Sequence, residues 1–160
     1  MSDLRIGLGY DVHAFAEDRL LVLGGVELPH ERGLAGHSDA DVLVHALMDA
    51  ILGAMRAGDI GAHFPDTDPA WAGASSLKLL EWVGALMRAD GWGFVDADTV
   101  LVLEAPRISP HRDEMRARMA AALQVDVARI GLKATTTEGL GLTGRGEGVA
   151  AQAVVLLERS

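Results

Sequence analysis

The stretch Ser38-Asp39-Ala40-Asp41-Val42-Leu43-Val44-His45-Ala46-Leu47-Met48-Asp49-Ala50-Ile51-Leu52-Gly53-Ala54-Met55-Arg56-Ala57-Gly58 decides how the rest of the chain reads. It predicts a helix set between strand-like segments. Ser38 takes the N-cap position, and Asp41 stands three residues on, where a capping box places its acid. Apolar residues follow at Val42, Leu47, Ile51 and Met55, and Gly58 supplies the stop.

Upstream, residues 4–13 read as a strand, and residues 20–28 as a bent hairpin broken at Gly24-Gly25. Downstream, residues 59–73 carry turn chemistry. A second helix spans 76–90 and stops at Gly91, and 94–103 is a strand. Ser109-Pro110 opens a third helix with Asp113 and Glu114 in its first turn, fading near Gln124. Residues 129–136 and 148–157 are two last strands, joined by the glycine-rich stretch 139–148. The order predicts an α+β fold in a single domain, residues 1–160, with helices packed on one face of a mixed sheet. The strands are apolar enough that the other face is expected to meet another subunit.

Composition narrows the chemistry. The 160 residues are 49% hydrophobic, enough for one core, and contain no cysteine, so thiolate ligands and thiol nucleophiles are excluded. The start Met1-Ser2-Asp3-Leu4-Arg5 lacks a signal-peptide pattern, and no apolar run approaches the ~20 residues of a membrane helix, so a cytoplasmic protein is expected. The net charge of −9 argues against nucleic acid as a partner. It would also repel a phosphorylated substrate unless bound dications dominate the field of the site.

Groups able to hold such ions stand in three fragments. Asp11 and His13 are two apart on a strand, so their side chains leave one face with Cα atoms ~6.6 Å apart. His45 on the helix supplies a third ligand, making Asp-His-His with an open position, a catalytic type of zinc site. The alternative is an Asp-His pair that only hydrogen-bonds. Asp41, His45 and Asp49 share a helix face, where an acid either orients the imidazole or belongs to a solvated stripe. His37 and Ser38 stand at the helix entrance, where backbone N–H groups favour anions. Asp59, Asp66 and Asp68 are turn formers or polyol acceptors. Thr135-Thr136-Thr137-Glu138 offers hydroxyls for phosphate and a carboxylate for a hard cation such as Mg²⁺, or is simply a β-prone threonine run. Arg145 binds an anion or pairs with Glu147. No protein nucleophile stands out, so the substrate would supply its own.

Taken together, Gly9-Tyr10-Asp11-Val12-His13, His37-Ser38-Asp39-Ala40-Asp41 with His45, Gly58-Asp59-Ile60-Gly61 with Phe64-Pro65-Asp66-Thr67-Asp68, and Lys133-Ala134-Thr135-Thr136-Thr137-Glu138 with Gly144-Arg145-Gly146-Glu147-Gly148 resemble the 2-C-methyl-D-erythritol 2,4-cyclodiphosphate synthases over nearly the whole chain. The resemblance implies a homotrimer with active sites between subunits. It implies a cytidine-diphosphate substrate whose 2-phosphate attacks the β-phosphorus and expels CMP. It also implies Zn²⁺ on Asp11, His13 and His45, and a second ion, Mg²⁺ or Mn²⁺, on Glu138. His37 and Thr136 would act as catalytic groups. Ser38, Asp59, Gly61, Phe64, Asp66, Asp68, Thr135 and Thr137 would contact substrate, and Leu103, Ala105, Pro106, Arg107, Ile108 and Ser109 of the adjoining subunit would hold cytosine. Leu142 and Arg145 would lie near the threefold axis, where relatives can hold an isoprenoid diphosphate. Leu142 stands where the family pattern has an aromatic, and Gly139 where it has a longer polar residue. A zinc-dependent phosphohydrolase or nucleotidase on the same ligands, or a trimeric module with a structural metal, are the competing readings.

Overall fold

The chain begins with a long strand, β1 (Asp3–Ala16), whose alternation positions everything that follows. In this computed structural model residues 3–159 are described; Met1, Ser2 and Ser160 lie outside the described residues, and with them the first two positions of the N-terminal leader reading. Next come the hairpin β2 (Leu21–Leu23) and β3 (Val26–Leu28), then β4 (Gly33–Leu34), α1 (Val42–Met55) and the short α2 (Ile60–His63). These are followed by α3 (Ser76–Ala89), β5 (Gly93–Val102), α4 (Arg112–Leu123), β6 (Ile130–Thr135), the single turn α5 (Gly141–Gly144) and β7 (Gly148–Arg159).

Five strands form one sheet in the order β4-β1-β7-β5-β6. β5 and β6 run parallel and the other pairs antiparallel, so the sheet is mixed as expected. The fold is α+β: α1 lies on β1 and β7, α4 on β6, and α3 packs against α1 and α4. No helix among the described residues is long and apolar enough to cross a membrane.

Successive strand side chains point to opposite faces. On β1, Gly7, Gly9, Asp11 and His13 therefore face α1, while Leu4, Ile6, Leu8, Tyr10 and Val12 face away and are exposed. The glycines are required by the helix itself. A Cβ on Gly9 would stand 1.8 Å from the Ala46 carbonyl oxygen, and one on Gly7 would stand 1.8 Å from that of Ala50. Backbone lies on backbone, with the N-terminal end of α1 above Asp11 and His13. All of α1 but Asp49 and Gly53 is buried, as expected of a helix apolar all round.

Several local expectations are corrected. The N-cap of α1 is Asp41, not Ser38. The Asp41 carboxylate accepts from the N–H of Val44 (3.1 Å), Gly24 (3.0 Å) and Gly25 (2.7 Å), so it also ties the hairpin turn to the helix. Ser38 is left free to turn its hydroxyl toward the site. The helix ends at Arg56, left-handed at φ 62°, before Gly58. The loop 59–73 contains α2 and a 3₁₀ turn at Pro69–Trp71, capped by Asp59 and Asp68. The third helix opens as a 3₁₀ turn at Ser109–His111. The glycine-rich stretch contains α5, because Thr137 Oγ1 bonds the Leu140 carbonyl (2.5 Å) and Thr143 Oγ1 (3.0 Å), closing the turn.

Candidate metal centre

Three side chains brought together by α1 crossing β1 form the site. Asp11 Oδ2 lies 2.9 Å from His13 Nε2 and 3.1 Å from His45 Nδ1, and the two nitrogens are 3.3 Å apart. An ion about 2.0–2.1 Å from each of three tetrahedral ligands spaces them by roughly 3.3 Å. The triangle has that size.

The surroundings fix which ring nitrogens carry protons. His13 Nδ1 lies 2.6 Å from the Ala35 carbonyl. A carbonyl can only accept, so Nδ1–H donates and the Nε2 lone pair faces Asp11. His45 Nε2 lies 3.0 Å from Ser76 Oγ and 3.2 Å from Ser38 Oγ. The Ser76 hydroxyl donates to Asp39 Oδ1, so its oxygen accepts from His45 Nε2–H and the Nδ1 lone pair turns inward. Three acceptors thus converge, an arrangement that fits a divalent cation.

Electrostatics agree. Burial works to raise the Asp11 carboxyl, but the imidazoles of His13 and His45 outweigh it and hold it at about 2. Burial lowers His13, yet the adjacent Asp11 carboxylate prevails and raises it above the ordinary histidine value. A site that already favours positive charge beside a carboxylate is prepared for a cation. The carboxylates of Asp41 and Asp49, the expected orienting partners for His45, make no hydrogen bond to its imidazole; Asp41 meets His45 only through the backbone, where its carbonyl accepts from His45 N–H at 3.0 Å. Asp41 is occupied with three backbone N–H groups, and Asp49, its carboxyl raised by burial, accepts from Ile60 N–H at 2.8 Å. The groups lying against the far nitrogen of His45 are Ser76 and, through it, Asp39.

The triad opens into a cavity of about 450 Å³. His37, Ser38, Gly61 and Asp66 line it beside the ligands, and Met48, Ile60, Phe64, Trp71 and Leu79 give it an apolar wall. Phe64 meets Trp71 edge-on, with ring centroids 5.1 Å apart. His37 Nε2 donates to the Asp68 carbonyl at 3.2 Å. Asp59 and Asp68 cap their own turns through Ala62 N–H and Ala70 N–H (2.9 Å each).

A second cleft, about 330 Å³, is lined by Leu103, Pro106, Arg107, Ile108, Ser109, Thr135 and Thr136 together with Glu104 and Ala134. Ala105 lies within the same segment. The two clefts share no residue. Glu138 stands exposed with φ 53°, beside the second cleft and outside the triad. Thr136 Oγ1 accepts from its N–H (3.1 Å). Glu104 Oε1 accepts from the flanking Thr137 and Gly139 N–H groups (3.2 and 3.3 Å). Arg145 pairs with Glu147 at 2.7 Å, and Leu142 is exposed on α5.

The sequence reading did not single out Asp39, Ser76, Arg19, Met48 or Trp71. Arg19 donates to the carbonyls of Gly36 (2.9 Å) and Ser38 (2.8 Å), clamping the loop that carries His37. The Ser75-Ser76 pair before an apolar periodic run was the one available signal for Ser76, and it reads first as a helix cap.

The YgbB family model matches residues 4–158. The chain is 59% identical over 156 residues to the 2-C-methyl-D-erythritol 2,4-cyclodiphosphate synthase of Geotalea uraniireducens, covering 98% of this chain and 99% of that protein. Its fold superposes on the bifunctional IspDF of Campylobacter jejuni with a TM-score of 0.96 at 41% identity, covering all of this chain and 43% of that longer one. A CDP-bound 2C-methyl-D-erythritol-2,4-cyclodiphosphate synthase matches with a TM-score of 0.87 at 42% identity, over 96% of this chain and 99% of that one. With a full-length family match and this degree of identity, the chain belongs to the YgbB family, the 2-C-methyl-D-erythritol 2,4-cyclodiphosphate synthases.

Proposed function

We propose that the protein converts 4-diphosphocytidyl-2-C-methyl-D-erythritol 2-phosphate to 2-C-methyl-D-erythritol 2,4-cyclodiphosphate with release of CMP. The observation that carries this reading is the convergence of two imidazole lone pairs and a carboxylate at the mouth of the 450 Å³ cavity, in a chain of this family. A phosphate oxygen of the substrate attacks the β-phosphorus, the bond from that phosphorus to the bridging oxygen breaks, and CMP leaves with the electron pair. No water enters, and no protein nucleophile is needed.

Two nitrogens and one oxygen favour zinc at Asp11, His13 and His45, which would neutralise phosphate charge when bound. Glu138, an exposed oxygen donor, suits Mg²⁺ or Mn²⁺ shared with substrate phosphates. The chain's own groups then position the reactants. His37, on turning its Nε2–H away from the Asp68 carbonyl, and Thr136 would donate to phosphoryl oxygens as charge builds. Ser38 would donate its hydroxyl into the cavity, and Gly61, Phe64 and Asp66 would border the polyol, with Asp59 and Asp68 shaping that loop. Leu103, Ala105, Pro106, Arg107, Ile108 and Ser109 would cradle cytosine, with Thr135 and Thr137 supporting the phosphate turn.

The two clefts are separate within one subunit, which supports an active site completed by a neighbour in a homotrimer. So does the exposed apolar face, where Ile6 and Leu8 are each 69% exposed and stand opposite Leu156 and Val154 on β7. Leu142 and Arg145 would then approach the threefold axis.

The test is ³¹P NMR of the product made from the cytidylated substrate in ¹⁸O-labelled water. A cyclic diphosphate free of label, formed together with CMP, is expected. A ring-open bisphosphate carrying the label on its 4-phosphate, released with CMP, would mark a phosphohydrolase instead.

A further inference from the structure

Ser76 is fully buried at the start of α3, yet its hydroxyl serves neither the helix nor the core. It joins two groups that are far apart in sequence. Its oxygen accepts from His45 Nε2 at 3.0 Å, and its proton goes to Asp39 Oδ1. Asp39 is in turn held in place: Oδ2 accepts from Ser76 N–H at 2.9 Å, and Oδ1 also accepts from Asp41 N–H at 3.2 Å. Metal-binding histidines generally place their second ring nitrogen against a carboxylate or carbonyl, which fixes the tautomer and strengthens the donor. His13 has a carbonyl, that of Ala35. The second nitrogen of His45, Nε2, reaches a carboxylate only through a hydroxyl.

We propose that Asp39 and Ser76 form a carboxylate–hydroxyl relay that holds His45 as its Nε2–H tautomer and thereby keeps Nδ1 available to a dication. The inference rests on reading Asp11, His13 and His45 as a metal centre. The relay has a competitor to overcome. Asp11 Oδ2 stands 3.1 Å from His45 Nδ1, and in the metal-free protein that carboxylate can accept from an Nδ1–H. The tautomer so formed has no lone pair facing the ion and cannot bind it. Ser76 opposes this by giving Nε2–H an acceptor polarised by Asp39. Ser38 Oγ is the other acceptor, at 3.2 Å, but it is not backed by a carboxylate. Ser76 and Asp39 are positioning residues: they act through His45.

The experiment uses the full chain, stripped of metal, as wild type, Ser76→Ala and Asp39→Asn. Zinc affinity is read by competition with a chromophoric chelator. The tautomers of His45 and His13 are read at pH 8 from long-range ¹H–¹⁵N correlations of histidine-labelled, metal-free protein. Ser76→Ala is expected to weaken zinc binding about 10- to 100-fold and to move His45 toward the Nδ1–H form. The His13 tautomer stays unchanged because Ala35 still accepts from it, a contrast that general loosening of the fold would not produce. Asp39→Asn keeps an acceptor for the Ser76 hydroxyl but loses the charge, so a smaller shift in the same direction is expected, and this variant decides the question if Ser76→Ala does not fold. Zinc affinity within twofold of wild type, with an unchanged His45 tautomer, overturns the relay alone. Failure of the wild type to take up zinc at these three side chains overturns the metal centre, and the relay with it.

Discussion

Replacing Gly9 by alanine tests whether backbone packing sets the dimensions of the metal centre. The new Cβ would lie 1.8 Å from the Ala46 carbonyl oxygen and 2.9 Å from Ala50 N. Since real Cβ atoms essentially never approach closer than 3.0 Å, α1 must retreat from β1 by about 1.2 Å. Backbone cannot swing aside as a flexible side chain can. Overpacking costs typically about 1–3 kcal/mol, and a contact between two rigid backbones belongs at the upper end. For a chain of this length each kcal/mol moves Tm by about 2–4 °C, so a drop of roughly 6–12 °C is expected. His45 rides on the same helix turn as Ala46. A displacement near 1.2 Å is more than half of a zinc–nitrogen bond of about 2.0–2.1 Å, so zinc affinity falls by at least about tenfold. The assay is thermal unfolding by circular dichroism with and without zinc, together with chelator competition. Gly53→Ala is the control within the same interface. Its Cβ would meet only the Leu8 carbonyl, at 3.9 Å, and a helical Gly→Ala exchange stabilises by about 0.5–1 kcal/mol. If Gly9→Ala melted within 2 °C of wild type and bound zinc equally well, the close approach of α1 to β1 would not be what sets the ligand spacing.

In the metal-free protein the raised His13 contributes stability that is fully present below its unfolded value of 6.5 and lost as pH rises through the higher folded value; Tm should therefore fall as pH rises above 6.5. With zinc bound the trend reverses, because the ion must displace those protons, and parallel pH slopes with and without zinc would contradict this. Asp41→Ala orphans the buried N–H groups of Gly24 and Val44 and the half-buried one of Gly25; burial pushes its carboxyl up to about 6, so losing the charge returns some desolvation cost and the net loss is about 2–4 kcal/mol, measured by urea unfolding. Ile6→Glu puts a charge on the exposed apolar face and should dissociate the proposed homotrimer, as read by light scattering of wild type and variant; an equal mass for the two would mean that this face meets water. Glu138→Gln should weaken the Mg²⁺ dependence of turnover while zinc stoichiometry stays at wild type, and an unaltered Mg²⁺ titration would remove Glu138 as a ligand.

The chain order, the strand and helix types and the convergence of Asp11 with His13 were legible because they depend on residues two to four apart. The two-residue period of β1 places Asp11 and His13 on one face whatever the rest of the molecule does. The residue types at the site, imidazole and carboxylate without thiol, were equally plain. Local competition was harder to read. Ser38 and Asp41 are both good caps, and the choice fell to Asp41 because Gly24 and Gly25, from the hairpin, also needed its oxygens. Ser38 was thereby released toward His45.

What only the tertiary structure decided is the environment of each ligand. Ser76 and His45 are 31 residues apart, Asp39 and Ser76 are 37 apart, and Ala35 and His13 are 22 apart. No periodicity encodes such meetings. His45 reaches Asp11 and His13 because α1 rests on two glycines of β1, a contact made of backbone atoms to which side-chain pattern is blind, while Ala35 arrives beside β1 after β4 and Ser76 arrives with α3. Sequence by itself determined which chemistry this protein can perform, through residue types and short-range spacing. The packing of one helix against one strand determined where the lone pairs point, because protonation of an imidazole is settled by whatever lies against its far side.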